Sequence, residues 1–408
     1  MSALTHAEAK AVWELLADLV RPGPTTSVAV PDALHQRLAR DAAAQTDYPP
    51  FDRALMDGYA VRAADFAGGR ANLRLRGVER AGVSAGVEVS AGHCVQINTG
   101  AMIPAGADAV VPVENLVELA GDQVVLGDTV EPGQHIERRA SHIKIGQAVL
   151  RAGSLITPGA LASLIAACVE RVQVYAAPRV ALLCTGDELV DVSRQAGPGQ
   201  IHDSNSYILR EFSREAGGET IMLGRSPDEP AALRDELVRG LEADMLCVSG
   251  GMSKGTHDLV PRVLTELGVT WLVDSLNLKP GKPTRIGRGP RGQWVAGLPG
   301  NPVSCAVCFQ LFCRPIIESL CGAPFRPPAM LRARLDSDMP PNGARPMFQP
   351  AEWYVAADGA AAATPLIWRG SGDPFGLASA NALIHRPSRA AGVTRGESAD
   401  IVALDRPR

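Results

Sequence analysis

DMLCVSGGMSKGTHDLV, residues 244–260, is the stretch on which the fold turns. The apolar run Met245–Val248 has the length and character of a strand buried on both faces, and Leu259 opens a helical pattern. Between them lies a turn of glycine and small polar residues. Strand, glycine-rich loop and helix in that order are the joint of a parallel α/β sheet, where ligands bind at the carboxyl ends of strands.

The same alternation extends outward. RVALLCTG (179–186) is a strand, followed by a helix from Ser204 to Ala216 that Gly217 and Gly218 stop. TIMLG (220–224), a helix around Ala231–Leu241, a helix around Leu259–Leu267 and VTWLVDSLNL (269–278) continue it. This predicts a three-layer α/β domain with a largely parallel sheet. Toward the amino end, Thr5 to Val20 has helical apolar spacing, with Thr5 and Glu8 placed as a capping box and RPGP (21–24) as the stop. From about Tyr48 to Arg139 short strands such as VQIN, AVVPVE and QVVL are separated by glycine turns, which predicts a β lobe. A second helix spans Leu155–Ala167, with Thr157 as N-cap and Pro158 at its first position. Pro324, Pro327 and Pro328 mark a linker, and strand-like WYVAA and DIVAL predict a small β domain to Arg408.

A chain of 408 residues calls for several cores, and 46% hydrophobic with 21% charged residues is globular composition. The net charge of −4 argues against a general nucleic-acid surface, so anionic ligands must be held by local groups. No apolar run reaches the ~18 residues of a membrane span, and MSALTHAEAK lacks the regions of a signal peptide, so the expected compartment is the cytoplasm. Most of the eight cysteines sit in apolar runs, as buried reduced thiols do. Cys305 and Cys308 form a CxxC, but on an apolar helix rather than the tight turn of a zinc site.

Four post-strand loops carry the chemistry: CTGDELV (184–190), GQIHDSNSY (199–207), SGGMSKGTHD (249–258) and GLPGNPVS (297–304), with LKPGKPT (278–284) between the last two. Backbone N–H groups from Ser249 to Lys254 can converge on an anion, with Asp258 at the head of the next helix. Neither a P-loop nor a GxGxxG fingerprint occurs there. Lys279 and Lys282 flank a Pro-Gly turn that fixes where they point, and an anion between them would relieve their repulsion. Asn301 is placed as an N-cap, with Pro302 next and Ser304 in the first turn. The carboxylates Asp187, Glu188, Asp203 and Asp258 follow three different strand ends and together suggest Mg²⁺, although each one singly is more often a cap or turn residue. In the β lobe Asp57 precedes Gly58 in PPFDRALMDGYAV (49–61), and Thr99 and Gly100 follow a strand in NTGAMIPAGADAVVPVEN (98–115).

These segments, with SGDPFGLASANALI (371–384), resemble the molybdopterin molybdenumtransferase family, which includes the gephyrin E-domain, and they occur in family order along nearly the whole chain. The resemblance implies an elongated helical domain (1–25 and 142–177), an inserted β lobe (26–141), an α/β molybdopterin-binding domain (178–325) and a small β-barrel-like domain (326–408). It implies a homodimer with an inter-subunit cleft, in which adenylylated molybdopterin and molybdate react, AMP leaves and Mg²⁺ assists. By motif match Asp57, Glu188 and Asp258 carry the acidic, catalytic roles, with Glu188 and Asp258 on the metal. Thr99, Gly100, Asp203, Ser249, Gly250, Gly251, Ser253, Lys279, Gly281, Lys282, Gly300, Asn301, Ser304, Arg345 (in GARPMF) and Ser371 bind the substrates.

One segment departs from the family. Where the family has RxGED, this chain reads RRASHIKIG (138–146), putting Ala140, Ser141 and His142 in place of the acidic stretch. His142 is therefore a candidate anion or Mg²⁺ ligand. The lost carboxylate leaves a second reading, a pterin-binding carrier or scaffold. A third, the adenylyltransferase that makes the activated pterin, would need only the α/β domain and leaves the flanking domains without a purpose.

Overall fold

The computed structural model describes residues 3–66, 68–83, 85–127, 129–227, 229–252 and 259–407. They form two compact units, Met1–Thr26 with Tyr175–Arg408, and Ser27–Val174.

The centre of the first unit is a six-stranded sheet in the order Glu219–Ser226, Arg179–Thr185, Met245–Ser249, Trp294–Leu298, Arg285–Arg288, Thr270–Val273. The first four strands are parallel, in a register that aligns Leu182 with Cys247 and Cys247 with Ala296. The last two pairings, of Arg285–Arg288 with Trp294–Leu298 and with Thr270–Val273, are antiparallel. Side chains alternate between the two faces of each strand, so each face builds its own core. Val180, Leu182, Cys247 and Ala296 share one with the helices Ala9–Leu19, Asn205–Glu215 and Pro302–Leu320. Ala181, Leu183, Leu246 and Val295 share the other with Pro230–Gly240 and Leu259–Glu266. These are the three layers that the apolar strand runs require.

The first helix corrects the expectation. It begins at Ala9, and the Thr5–Glu8 capping box does not form. Residues 4–7 are held by the sheet instead: Leu4 N–H donates to Leu272 and Ala7 N–H to Ser275. The Glu8 carboxylate accepts from the Asn277 amide at 2.5 Å.

Pro302–Leu320 is a second correction. This helix of 19 residues is long and apolar enough to span a membrane by length and composition alone, which Gln310, Arg314 and Glu318 conceal in a reading by unbroken runs. Its most apolar stretch is 83% buried in the protein's own interior, as a core helix is. A π-helical turn at Phe309–Cys313 widens it, and the Trp13 indole N–H donates to the Leu311 carbonyl there at 2.8 Å. The carboxyl-terminal strands Met330–Leu335, Met347–Val355, Ala361–Pro365, Ala382–Arg386 and Ser398–Ala403 close into a barrel around Leu335, Ala351, Ile384 and Ile401.

The second unit holds a six-stranded sheet, ordered Ala109–Pro112, Gly58–Val61, His93–Ile97, Arg70–Glu79, Gln123–Gly127, Leu116–Ala120. Tyr59, Val61, Leu73, Val111 and Leu126 fill its core. A separate cluster around Leu38, Ile156, Leu164 and Val174 anchors the helix Pro158–Ala166. The Thr157 hydroxyl accepts from Ala160 N–H at 3.2 Å, the N-cap read from the sequence.

Candidate functional site

At the carboxyl ends of the parallel strands lies a cavity of about 620 Å³. Its wall is built by close approach of glycine backbone. Gly250 and Gly251 have φ of +97° and +63°, and a Cβ on Gly250 would lie 2.3 Å from the Thr185 carbonyl. Gly300 packs against Gly250 from the facing loop. Any side chain at these positions would fill the floor or push the loops apart. Glu188, Asp203, Asn205, Ser249, Gly300 and Asn301 line the same cavity.

A second cavity of about 400 Å³ shares Pro283, Pro299 and Asn301 with the first. Lys279, Gly281, Lys282, Ser304, Arg345 and Ser371 line it. Both lysines are exposed, and among the described residues neither ammonium has a carboxylate within ion-pair distance. The barrel fixes the turn between them: Lys279 N–H donates to Pro346 at 2.8 Å, Phe348 N–H to the Lys279 carbonyl at 2.9 Å, and the Arg345 guanidinium to the Leu278 carbonyl at 3.1 Å. Asn301 stands at the N-cap position, but its side chain does not cap. Its amide donates to the Ser371 hydroxyl at 2.9 Å, tying the barrel loop to the helix start. Gly281, at φ +123°, turns a Cβ position to within 2.2 Å of the Cys308 sulfur.

The acidic residues divide. Asp203 is buried, and both its oxygens are committed to Ser206, one to the backbone N–H at 3.0 Å and one to the hydroxyl at 2.5 Å. It caps the helix Asn205–Glu215, the plain reading of a carboxylate at that position. The Glu188 carboxylate folds over Gly186 at the cavity wall. Ser253 and Asp258 lie outside the described residues. Among the described residues no three of His, Cys, Asp or Glu gather as a metal site. The CxxC is no exception: Cys305 and Cys308 are fully buried, and burial pushes the Cys308 thiol up to about 12.

Asp57, Thr99, Gly100 and His142 belong to the second unit. The Asp57 carboxylate accepts from Thr99 N–H at 2.6 Å and from its hydroxyl at 3.0 Å, contacts that hold it below the usual carboxylate range. Behind it Gly58 is forced, since a Cβ would lie 2.0 Å from the Val111 carbonyl. His142 has a partner the sequence reading did not foresee. Its Nε2 lies 2.6 Å from Glu137, whose other oxygen accepts from Arg53 at 2.6 Å. Arg53 first, then His142, holds the Glu137 carboxyl below its ordinary value. A carboxylate therefore stands beside the altered segment, five residues before His142.

Asn205 was also missed. Its amide donates to the Ser249 hydroxyl at 2.9 Å and to the Gly300 carbonyl at 2.7 Å, joining both glycine loops to one helix. Its partners are 44 and 95 residues away in the chain, so no local pattern could have found it.

The comparisons agree along the whole length. Residues 4–168 match the family "MoeA N-terminal region (domain I and II)", 181–319 the "Probable molybdopterin binding domain", and 332–404 the "MoeA C-terminal region (domain IV)". The molybdopterin molybdenumtransferase of Staphylococcus aureus (strain Mu50) is 30% identical over 387 residues, covering 94% of this chain and 92% of that one. The Haemophilus influenzae protein of the same name is 31% identical over 392 residues, covering 95% and 96%. Among solved structures, a molybdopterin biosynthesis moeA protein from Pyrococcus horikoshii superposes with a TM-score of 0.84 at 29% identity, covering 98% of this chain and 99% of that one.

Proposed function

The chain belongs to the molybdopterin molybdenumtransferase (MoeA) family, and from that premise we propose that it inserts molybdenum from molybdate into adenylylated molybdopterin, releasing AMP. The observation that carries this reading is the pair of adjoining cavities. One is walled by glycine backbone and the other carries two ammonium groups that have no carboxylate partner among the described residues. Both substrates are anions. Cleaving a phosphoanhydride needs positioning and neutralisation of charge more than a covalent nucleophile, and preorganised N–H and ammonium donors supply both.

On this proposal Gly250, Gly251, Ser249, Gly300 and Asn301 hold the pterin phosphate. Lys279, Lys282, Ser304, Arg345 and Ser371 hold molybdate in the adjoining pocket. Glu188 faces the reacting anhydride, and Asp203 acts by fixing the loop. Mg²⁺ would neutralise the anhydride's charge, with Glu188 and Asp258 as its protein oxygens, but the described residues do not by themselves form a site for it. We further propose a cytoplasmic homodimer in which the Asp57 and Thr99 of one subunit serve the cavity of the other, and a four-domain division at residues 1–25 with 142–177, 26–141, 178–325 and 326–408. The carrier reading has no observation of its own: Glu137 stands at the altered segment, and the full-length relatives are named as transferases.

The binding half of this proposal is tested by calorimetry with adenylylated molybdopterin and with molybdate. The expected result is binding of both ligands, and no binding of either would refute it.

A further inference from the structure

The same sheet has a second cavity at its opposite end. Asp244 precedes the strand Met245–Ser249 and Trp294 opens the strand Trp294–Leu298, whose far ends reach the substrate cavity. Five strand residues span about 15 Å, so the two sites are separate. This lower cavity, of about 380 Å³, is lined by Arg21, Glu242, Asp244, Arg288, Arg291 and Trp294, among others.

The guanidinium groups there are not equivalent. Arg21 is spent on its own helix end, donating to the Val20 and Asp18 carbonyls at 2.8 Å each. Arg291 donates to the Leu241 carbonyl. The Arg288 guanidinium carbon lies over the Trp294 ring, 4.3 Å from its centroid, and among the described residues its N–H groups meet no carboxylate and no carbonyl. Stacking on an aromatic face fixes the plane of a guanidinium and leaves its edge of donors open. Arg288 is half-buried, and that burial works against its charge. Of the two carboxylates on the wall, Asp244 already accepts from Arg179 N–H at 2.7 Å. Three cations against two anions, with one cation pre-oriented and unpartnered, leave room for a further negative group.

We propose that this cavity is a second binding site, for a small oxyanion of the phosphate class, held bidentately by Arg288. It is a recess rather than a flat face, which suits a free small anion better than a protein surface. The proposal does not depend on the reading of the substrate cavity.

The test uses selenate as a phosphate-sized probe that anomalous scattering can locate, together with calorimetry using inorganic phosphate. The expected crystal result is selenium at hydrogen-bond distance from the Arg288 guanidinium, lost in Arg288→Met. In solution the double variant Lys279→Ala/Lys282→Ala, with the substrate pocket weakened, should still bind one phosphate, and adding Arg288→Met should abolish it. Should Arg288→Met unfold, Arg288→Lys keeps the stem and the charge over Trp294 but not the fork, and is expected to bind phosphate about tenfold more weakly. Turnover in the substrate cavity should be unchanged in Arg288→Lys. Selenate absent from Arg288, phosphate binding untouched by both variants, or binding of an acidic peptide with no binding of phosphate would each overturn the proposal.

Discussion

Lys279 and Lys282 sit on a turn held from outside by the barrel strand that begins at Met347, so their charges are placed before any ligand arrives. A charge-assisted contact to an oxyanion contributes about 1.5–3 kcal/mol. Lys279→Ala or Lys282→Ala should therefore weaken molybdate binding about 10- to 150-fold in calorimetry, with folding intact because both side chains are exposed. Glu137 poses a different question. Its carboxyl is held low by Arg53 and His142, so whatever the trio contributes to stability is present above the ordinary glutamate pKa and is lost as pH falls through the lowered one. Urea midpoints of wild type and Glu137→Gln should differ at neutral pH and converge only at pH below the ordinary glutamate range. If Glu137 supplies the charge missing at 140–142, Glu137→Gln should slow turnover more than His142→Ala does. The reverse order would make His142 itself the working group.

At the scale of elements, the helix Pro302–Leu320 serves two masters. Its first turn borders the substrate cavities, and its body carries three buried thiols, Cys305, Cys308 and Cys313, each pushed up by burial. Thiolate is the reactive form, so these groups should be inert in the folded protein. Thiol titration at pH 8 should label Cys168, which is exposed, then half-buried Cys321, and reach the other six only on unfolding. Early labelling of Cys305 or Cys308 would contradict the packing. The same helix explains Gly281: φ of +123° and a Cβ position 2.2 Å from the Cys308 sulfur mean that Gly281→Ala both strains the backbone and overpacks the core. A loss of roughly 1–3 kcal/mol is expected in denaturant unfolding. Cys308→Ala should restore part of it, the steric part, while the backbone strain remains. That partition could not be read from LKPGKPT, because the clash is with a residue 27 positions on.

For the molecule as a whole, what was legible followed from local rules. The apolar strands declared a sheet buried on both faces, Thr157 declared a cap, and the glycine-rich loops after the strands declared where the cavity lies. What was hidden depended on partners far along the chain. Leu4 and Ala7 pair with residues beyond 270 rather than extend a helix, Asn205 braces two distant loops, and Glu137 meets His142 only because a turn through Ala140, at φ +61°, brings them together. Asp203 lines the cavity as well, but its two bonds to Ser206 lay beyond a reading of the loop alone: a carboxylate before a helix satisfies the helix first. If the cavity is completed by a second subunit, Asp57→Ala and Lys282→Ala proteins should be inactive separately and regain activity when exchanged into one dimer. A monomer by light scattering would remove that arrangement without touching the proposed chemistry. The chemistry itself is tested most directly by the release of AMP from adenylylated molybdopterin, followed with and without molybdate. Molybdate-dependent AMP release, lost in Lys282→Ala, is the predicted result; bound nucleotide that stays uncleaved at saturating molybdate would contradict it.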